Sequence, residues 1–179
     1  PNYSKYHRYF SPNDHSQVIG EATPIYMYWN KSIERIYVYN PQIKLIIILR
    51  NPIDRAFSHW NMERDKGRES RTFLNAILDE ESKINSPNYS QNKILSYLDR
   101  GYYSKQIKNI YNYFNKNQIL ILRSEELREN PDGTLMNVAD FLSIPPFNPV
   151  YHKEINSRSY PHKMSYDEYA LLSGLYEEE

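Results

Sequence analysis

Cysteine is absent from all 179 residues. Disulfides and thiolate metal sites are thereby excluded, and a reducing compartment is favoured. No apolar run approaches the ~20 residues that a membrane helix needs. The longest, Leu45 to Leu49, is strand-sized. No signal-peptide pattern opens the chain, which together with the missing cysteines points to a cytoplasmic, bacterial-type protein. Net charge is missing too, since Lys+Arg and Asp+Glu balance at 22 each. A balanced chain has no whole-surface affinity for nucleic acid or membrane, and its Lys and Arg are scattered rather than clustered. A zero sum still permits a local basic pocket for a small anion. Glycine is scarce at five residues, and Gly20 is the only one before Gly67. No carboxylate pair reads as a Mg²⁺ site, and no metal-ligand set is read.

Hydrophobic residues make up 40% of the chain and charged residues 25%, as in a soluble globular protein. The length suits one domain over residues 1–179. The chain opens on Pro-Asn-Tyr without Met and closes on Glu177-Glu178-Glu179, and both ends read as cuts in a longer polypeptide.

Residues 1–16 read as loop with a short helix, and Gln17 to Glu21 as a short strand ending in a turn. Over residues 27–39, Trp29, Ile33, Ile36 and Tyr37 recur at helical spacing. Ile43 to Leu49 is almost continuously aliphatic, which predicts a strand buried on both faces. Asn51 is a good N-cap, Pro52 suits the first helical position, and Asp54 favours a helix start. Helices are predicted over 70–84, over 102–114, from Asn130-Pro131 and from about Ser165, with a second buried strand over 118–122. Strands alternating with helices imply an α/β domain with a parallel sheet.

Three segments carry candidate chemistry. In an open parallel sheet, ligands sit beyond the carboxyl ends of the strands. Arg50 stands at such an end, and its planar fork suits a phosphate. Ser58 follows eight residues on, and the same crevice is within its reach if the helix packs back along the strand. The plain alternative is an Arg50–carboxylate pair and a solvated serine. Glu21, after Gly20, is a carboxylate that can take a proton from a hydroxyl or amine; alone, it is equally an exposed turn residue. Asn156 to Lys163 is a polar loop whose Arg158, His162 and Lys163 can close over an anion or simply lie at the surface. Tyrosine is abundant at 18. Most read as core-edge residues, and exposed ones can line a sugar-binding cleft.

Four stretches then occur in order: Gly20-Glu21-Ala22-Thr23-Pro24-Ile25-Tyr26, Ile48-Leu49-Arg50-Asn51-Pro52 through Arg55-Ala56-Phe57-Ser58-His59-Trp60, Gly101-Tyr102-Tyr103-Ser104-Lys105-Gln106-Ile107, and Gln118-Ile119-Leu120-Ile121-Leu122. This chain resembles the sulfotransferase family, in particular the heparan sulfate N- and O-sulfotransferase branch and its bacterial relatives. The resemblance implies a P-loop NTPase-like three-layer fold with a central parallel sheet. It implies 3′-phosphoadenosine 5′-phosphosulfate (PAPS) as sulfuryl donor, its 3′,5′-bisphosphate (PAP) as product, no metal, and a hydroxyl or amine acceptor, with carbohydrate favoured. By the same resemblance Arg50 and Ser58 hold the 3′-phosphate and Glu21 matches the catalytic base, with His59 as runner-up. Arg158 falls where a basic residue approaches the 3′-phosphate, Tyr160-Pro161 match the family's Tyr-Pro, and Tyr103 matches an aromatic near the nucleotide. The family's glycine-rich 5′-phosphosulfate loop has no counterpart here, so that loop and the first strand are expected upstream of Pro1 or lost. Ser157 also replaces the usual glycine beside the basic residue of the late loop. Two rivals stay open: a non-catalytic binding domain that keeps the fold, and a nucleoside-phosphate kinase of related architecture.

Overall fold

Asn51 and Pro52 decide where the first strand stops and the first long helix starts. The computed structural model describes residues 3–10, 18–148 and 160–179. Within them the order is α1 (Ser4–His7), α2 (Ser32–Tyr39), β1 (Leu45–Leu49), α3 (Pro52–Asp65), α4 (Phe73–Ile84), α5 (Tyr103–Tyr111), β2 (Ile119–Arg123), α6 (Ser124–Glu129), α7 (Pro131–Leu142) and α8 (Tyr166–Leu175). The Asn51 side chain accepts from the backbone N–H of Ile53 at 2.9 Å and of Asp54 at 3.3 Å, and Pro52 occupies the first helical turn. A side-chain cap of this kind stabilises a helix by about 1 kcal/mol. Asn130 caps α7 and Ser165 caps α8 in the same way, as the sequence predicts.

β1 and β2 pair in parallel, with Leu45 opposite Ile119 and Leu49 opposite Arg123. Their carboxyl ends therefore lie side by side. One face of the sheet is packed: Ile47 joins Ile33 of α2 with Ile110 and Phe114 at the end of the α5 segment. The other face departs from the sequence reading, for Ile46 is 38% and Ile48 52% exposed. Side chains alternate faces along a strand, and α2 and α5 cover only the Ile47 side. Continuous aliphatics predict burial on both faces; over β1 the second face is open at Ile46 and Ile48, while on β2 the same face is covered at Leu122, which pairs with Ile48 and is 5% exposed.

Two further boundaries differ. Val18 to Glu21 forms no strand, and Gln17 lies outside the described residues. Val18 and Ile19 are exposed, and no described strand pairs with them, so their backbone has no ladder to join. The helix expected over 27–39 begins only at Ser32, after a run of turns.

The larger core contains no strand residue. Ile53, Ala56, Phe57 and Trp60 of α3 meet Phe73 and Ile77 of α4, with Tyr97, Leu98 and Leu172. Trp60 stays satisfied inside it by donating from Nε1 to the Arg71 carbonyl at 3.1 Å.

The turn into α4 is held by a buried ion pair. Glu69 is 5% exposed. Burial pushes its carboxyl up, but hydrogen bonds from the Arg71 side chain, the Arg71 backbone and the Tyr97 hydroxyl outweigh this and bring it down to about 2. The Arg71 contacts are 2.9 Å from Nε, 2.6 Å from Nη2 and 2.9 Å from the backbone N–H, and the Tyr97 contact is 3.1 Å. A carboxyl depressed on folding contributes stability above its ordinary value of 4.5, and that contribution drains away as pH falls towards 2. Urea denaturation is expected to show this group supplying on the order of 2 kcal/mol at neutral pH. Glu69→Gln should lower neutral-pH stability and flatten the acid slope; an unaltered slope would dismiss the pair as a stabilising element.

Candidate functional site

Arg50 follows the last residue of β1, at the edge where both strands end. Its backbone is fixed from two sides. The Tyr103 hydroxyl donates to the Arg50 carbonyl at 3.1 Å, and the next residue, Asn51, donates its N–H to Glu125 Oε1 at 3.4 Å. Among the described residues the half-buried Arg50 guanidinium makes no hydrogen bond and no ion pair. Its field still reaches Glu125, whose carboxyl is held low, mainly by hydrogen bonding to its own backbone and in smaller part by the Arg50 charge. The predicted arginine–carboxylate pair is therefore not formed as a direct contact, and the fork of donors is free for another anion.

Ser58 lies in the second turn of α3, half-buried, and its hydroxyl bonds to no described residue. Its neighbour Phe57 receives Tyr160, ring on ring, with centroids 5.3 Å apart and planes 7° from parallel. His162 also leans on Phe57, at 5.6 Å. Tyr160 is thus stacked on α3 at Phe57. Arg158 lies outside the described residues.

Glu21 is exposed and accepts from the Tyr6 hydroxyl at 2.9 Å. Tyr26 also hydrogen-bonds it, which raises the Tyr26 phenol, with burial adding to the effect. The Tyr6 phenol is pushed up to about 12, first by burial and then by its bond to Glu21. Both partners are neutral donors, so they hold the carboxylate without displacing its charge. An ionised carboxylate has about four lone-pair sites, which leaves room for a proton from elsewhere. Among the described residues no hydrogen bond joins Glu21 to Arg50 or Ser58.

One sequence expectation needs correction. His59 is buried, with its ring edge-on to Tyr97 at 5.0 Å. Burial first, then the Arg100 and Arg55 charges, bring it down to about 3. An imidazole so enclosed faces no incoming acceptor, and it sits on the core side of α3 because successive helix residues point about 100° apart. Tyr103, placed among the nucleotide-binding residues, uses its hydroxyl on the Arg50 carbonyl. That bond fixes the strand end.

Sequence reasoning missed a cleft of about 530 Å³ whose walls include Tyr28, Trp29, Tyr89, Gln91, Tyr102 and Lys105. The turn before α2, the loop after α4 and α5 build it. A signal was present in the polar run Asn88-Tyr89-Ser90-Gln91, where an aromatic stands among amides, but such runs look like any surface loop.

The sulfotransferase domain family matches residues 31–171. Human bifunctional heparan sulfate N-deacetylase/N-sulfotransferase 2 is 33% identical over 110 residues, 60% of this chain and 12% of that protein. Mouse heparan sulfate glucosamine 3-O-sulfotransferase 5 is 29% identical over 142 residues, 79% of this chain and 40% of that one. The chain thus spans well under half the length of either relative. The crystal structure of a sulfotransferase from Alicyclobacillus acidocaldarius superposes with a TM-score of 0.81 at 25% identity, over 99% of this chain and 67% of that one. The α/β architecture with a parallel sheet, of the P-loop-like sulfotransferase kind, is therefore the fold of this chain.

The burial of His59 has a direct check. Across a ¹H–¹⁵N titration of the imidazoles between about pH 5 and 8, His59 is expected to stay neutral. A His59 midpoint near the ordinary value would restore it as a base.

Proposed function

Because the chain belongs to the sulfotransferase domain family, we propose that it transfers a sulfuryl group from PAPS to a hydroxyl or amine on a carbohydrate. One observation carries the reading. Among the described residues, the half-buried Arg50 guanidinium at the carboxyl end of β1 has no direct anionic partner, and the Ser58 hydroxyl on the helix that follows makes no hydrogen bond. The first N–H groups of α3 are already taken by Asn51. An anion at this edge must then be met by side chains, and Arg50 and Ser58 suit the 3′-phosphate. The names of the relatives, both heparan sulfate enzymes, support carbohydrate as the acceptor class.

The chemistry is an in-line displacement. The acceptor oxygen or nitrogen bonds to sulfur, the bond from sulfur to the bridging phosphate oxygen breaks, and the leaving nucleotide keeps the electron pair. Glu21 takes the proton released by the acceptor and is held in place by Tyr6 and Tyr26. Tyr103 fixes the backbone of Arg50, and Arg50 with Ser58 holds the donor's far end, which orients the reacting bond.

Two measurements test this. Calorimetry with PAP is expected to show Arg50→Ala weakening binding by about 1.5–3 kcal/mol and Ser58→Ala by about 1 kcal/mol, the scale of charge-assisted and neutral hydrogen bonds. Equal affinity for wild type and Arg50→Ala would remove Arg50 from the site. In transfer assays on the full-length protein, Glu21→Gln is expected to lower turnover by about 10²- to 10⁴-fold, the usual worth of a general base, while PAP affinity holds. The 179-residue chain alone is expected to be inactive for want of the 5′-phosphosulfate loop, so the deciding case is the full-length protein: one that binds PAP yet transfers nothing to any saccharide would favour the non-catalytic alternative.

A further inference from the structure

The edge where both strands end carries a negative charge as well as a positive one. We infer that Glu125 is an opposing charge built in beside Arg50, which limits how tightly this edge holds the 3′-phosphate and so favours release of the spent nucleotide; the inference rests on the sulfuryl-transfer reading and adds a residue to its donor site.

The chain brings Glu125 there directly. β2 ends at Arg123, opposite Leu49 of β1, and α6 starts at the very next residue, Ser124. Glu125 therefore stands in the first turn beyond one strand end and faces the other. It crosses the gap: the Asn51 N–H donates to Glu125 Oε1 at 3.4 Å. That nitrogen is bonded to the Arg50 carbonyl carbon, so the carboxylate oxygen lies within about 6 Å of the Arg50 Cα. Both Glu125 and Arg50 are half-buried.

Two carboxylates open α6, and they are used differently. Glu126 turns back to Arg123, with its Oε1 2.9 Å from Nε and 2.8 Å from Nη2. It also accepts the Arg123 N–H at 3.4 Å, which already closes the start of the helix. An acid placed only to suit a helix start needs no more than this. Glu125 has no ion pair among the described residues. The N–H groups that hold it, its own and that of Asn51, are neutral donors, so they keep it ionised without cancelling its charge. The Arg50 charge reaches it without a direct contact.

A phosphate on the Arg50 fork brings about two negative charges to this edge. Like charges a few ångströms apart at a half-buried edge repel strongly enough to change affinity severalfold. The 3′-phosphate is common to PAPS and PAP, so affinity gained there holds substrate and product alike and does nothing for the reacting bond. Arg50 supplies the attraction that orients the donor. Glu125 subtracts from it, and the product leaves sooner.

Glu125→Gln separates the charge from the structure, because the amide oxygen can still accept the Asn51 N–H. In the full-length protein, calorimetry is expected to show PAP binding about three- to tenfold more tightly to Glu125→Gln than to wild type. The affinity for 5′-AMP, which lacks the 3′-phosphate, should stay the same. Stopped-flow measurement should show PAP leaving the variant more slowly by a similar factor. Glu126→Gln, whose charge is already paired with Arg123, should leave PAP affinity unaltered. Unchanged or weaker PAP binding by Glu125→Gln, a gain shared by 5′-AMP, or an equal gain in Glu126→Gln would overturn the role of Glu125 while leaving the Arg50 contact in place. If Arg50→Ala and Glu125→Gln both bind PAP as wild type does, the donor-site reading falls with it.

Discussion

The arrangement hangs from one buried carboxylate. Glu80, on α4, accepts from three consecutive backbone N–H groups, those of Tyr97 at 2.6 Å, Leu98 at 2.8 Å and Asp99 at 3.0 Å. Burial raises its carboxyl despite these bonds, which marks how costly an enclosed charge is. The bonds fold residues 97–101 into a tight turn whose outward groups are then shared out. Arg55 donates to the Tyr97 carbonyl, and Tyr176 donates to the Leu98 carbonyl at 2.7 Å. Asp99 holds Tyr28 and Tyr89. Gly101 must be glycine, for an added Cβ would lie 2.1 Å from the Tyr176 hydroxyl. The chain leaves this turn straight into α5 with Tyr102 and Tyr103. Both the cleft and the support of Arg50 therefore descend from α4 through Glu80.

What the sequence disclosed was local. Asn51, Pro52 and Asp54 mark a helix start because capping depends on residues within one turn, and α3 begins at Pro52 as they indicate. The two aliphatic runs became the two strands for the same reason, since strand tendency is written in neighbouring residues. Burial of a strand face is not. It depends on which helices arrive from far along the chain, so Ile47 is covered while Ile46 and Ile48 are open. Val18 and Ile19 show the same limit: their side chains suit a strand, but a strand exists only where another pairs with it.

The candidate site was legible to the same extent. Arg50 and Ser58 stand where an arginine at a strand end and a serine two turns later are expected, because one turn geometry connects them. His59 was misjudged because nothing in its immediate neighbours reveals that Tyr97, far along the chain, closes over it. The Gln91 bond to the Tyr28 carbonyl, the Asp99 hub and the Tyr103 bond to Arg50 all join residues separated by more than nine positions. No periodicity or spacing encodes such pairs.

The division of labour at the strand edge follows from the same bonds. A bare helix start offers N–H groups to an anion, but α3 spends its first ones on Asn51, and the Asn51 N–H turns to Glu125. On the proposed reading, recognition at this edge would rest on a side chain that can adapt, the Arg50 guanidinium, on a backbone held on both sides by Tyr103 and the Asn51 cap. Guanidinium selectivity for phosphate comes from a planar fork presented at a fixed angle. A fixed angle requires a fixed root, and that root is supplied by α5, whose first turn is set by Glu80. Loss of the α4 carboxylate would therefore loosen the turn over residues 97–101 that leads into α5 and, through it, the Tyr103 bond to the Arg50 carbonyl.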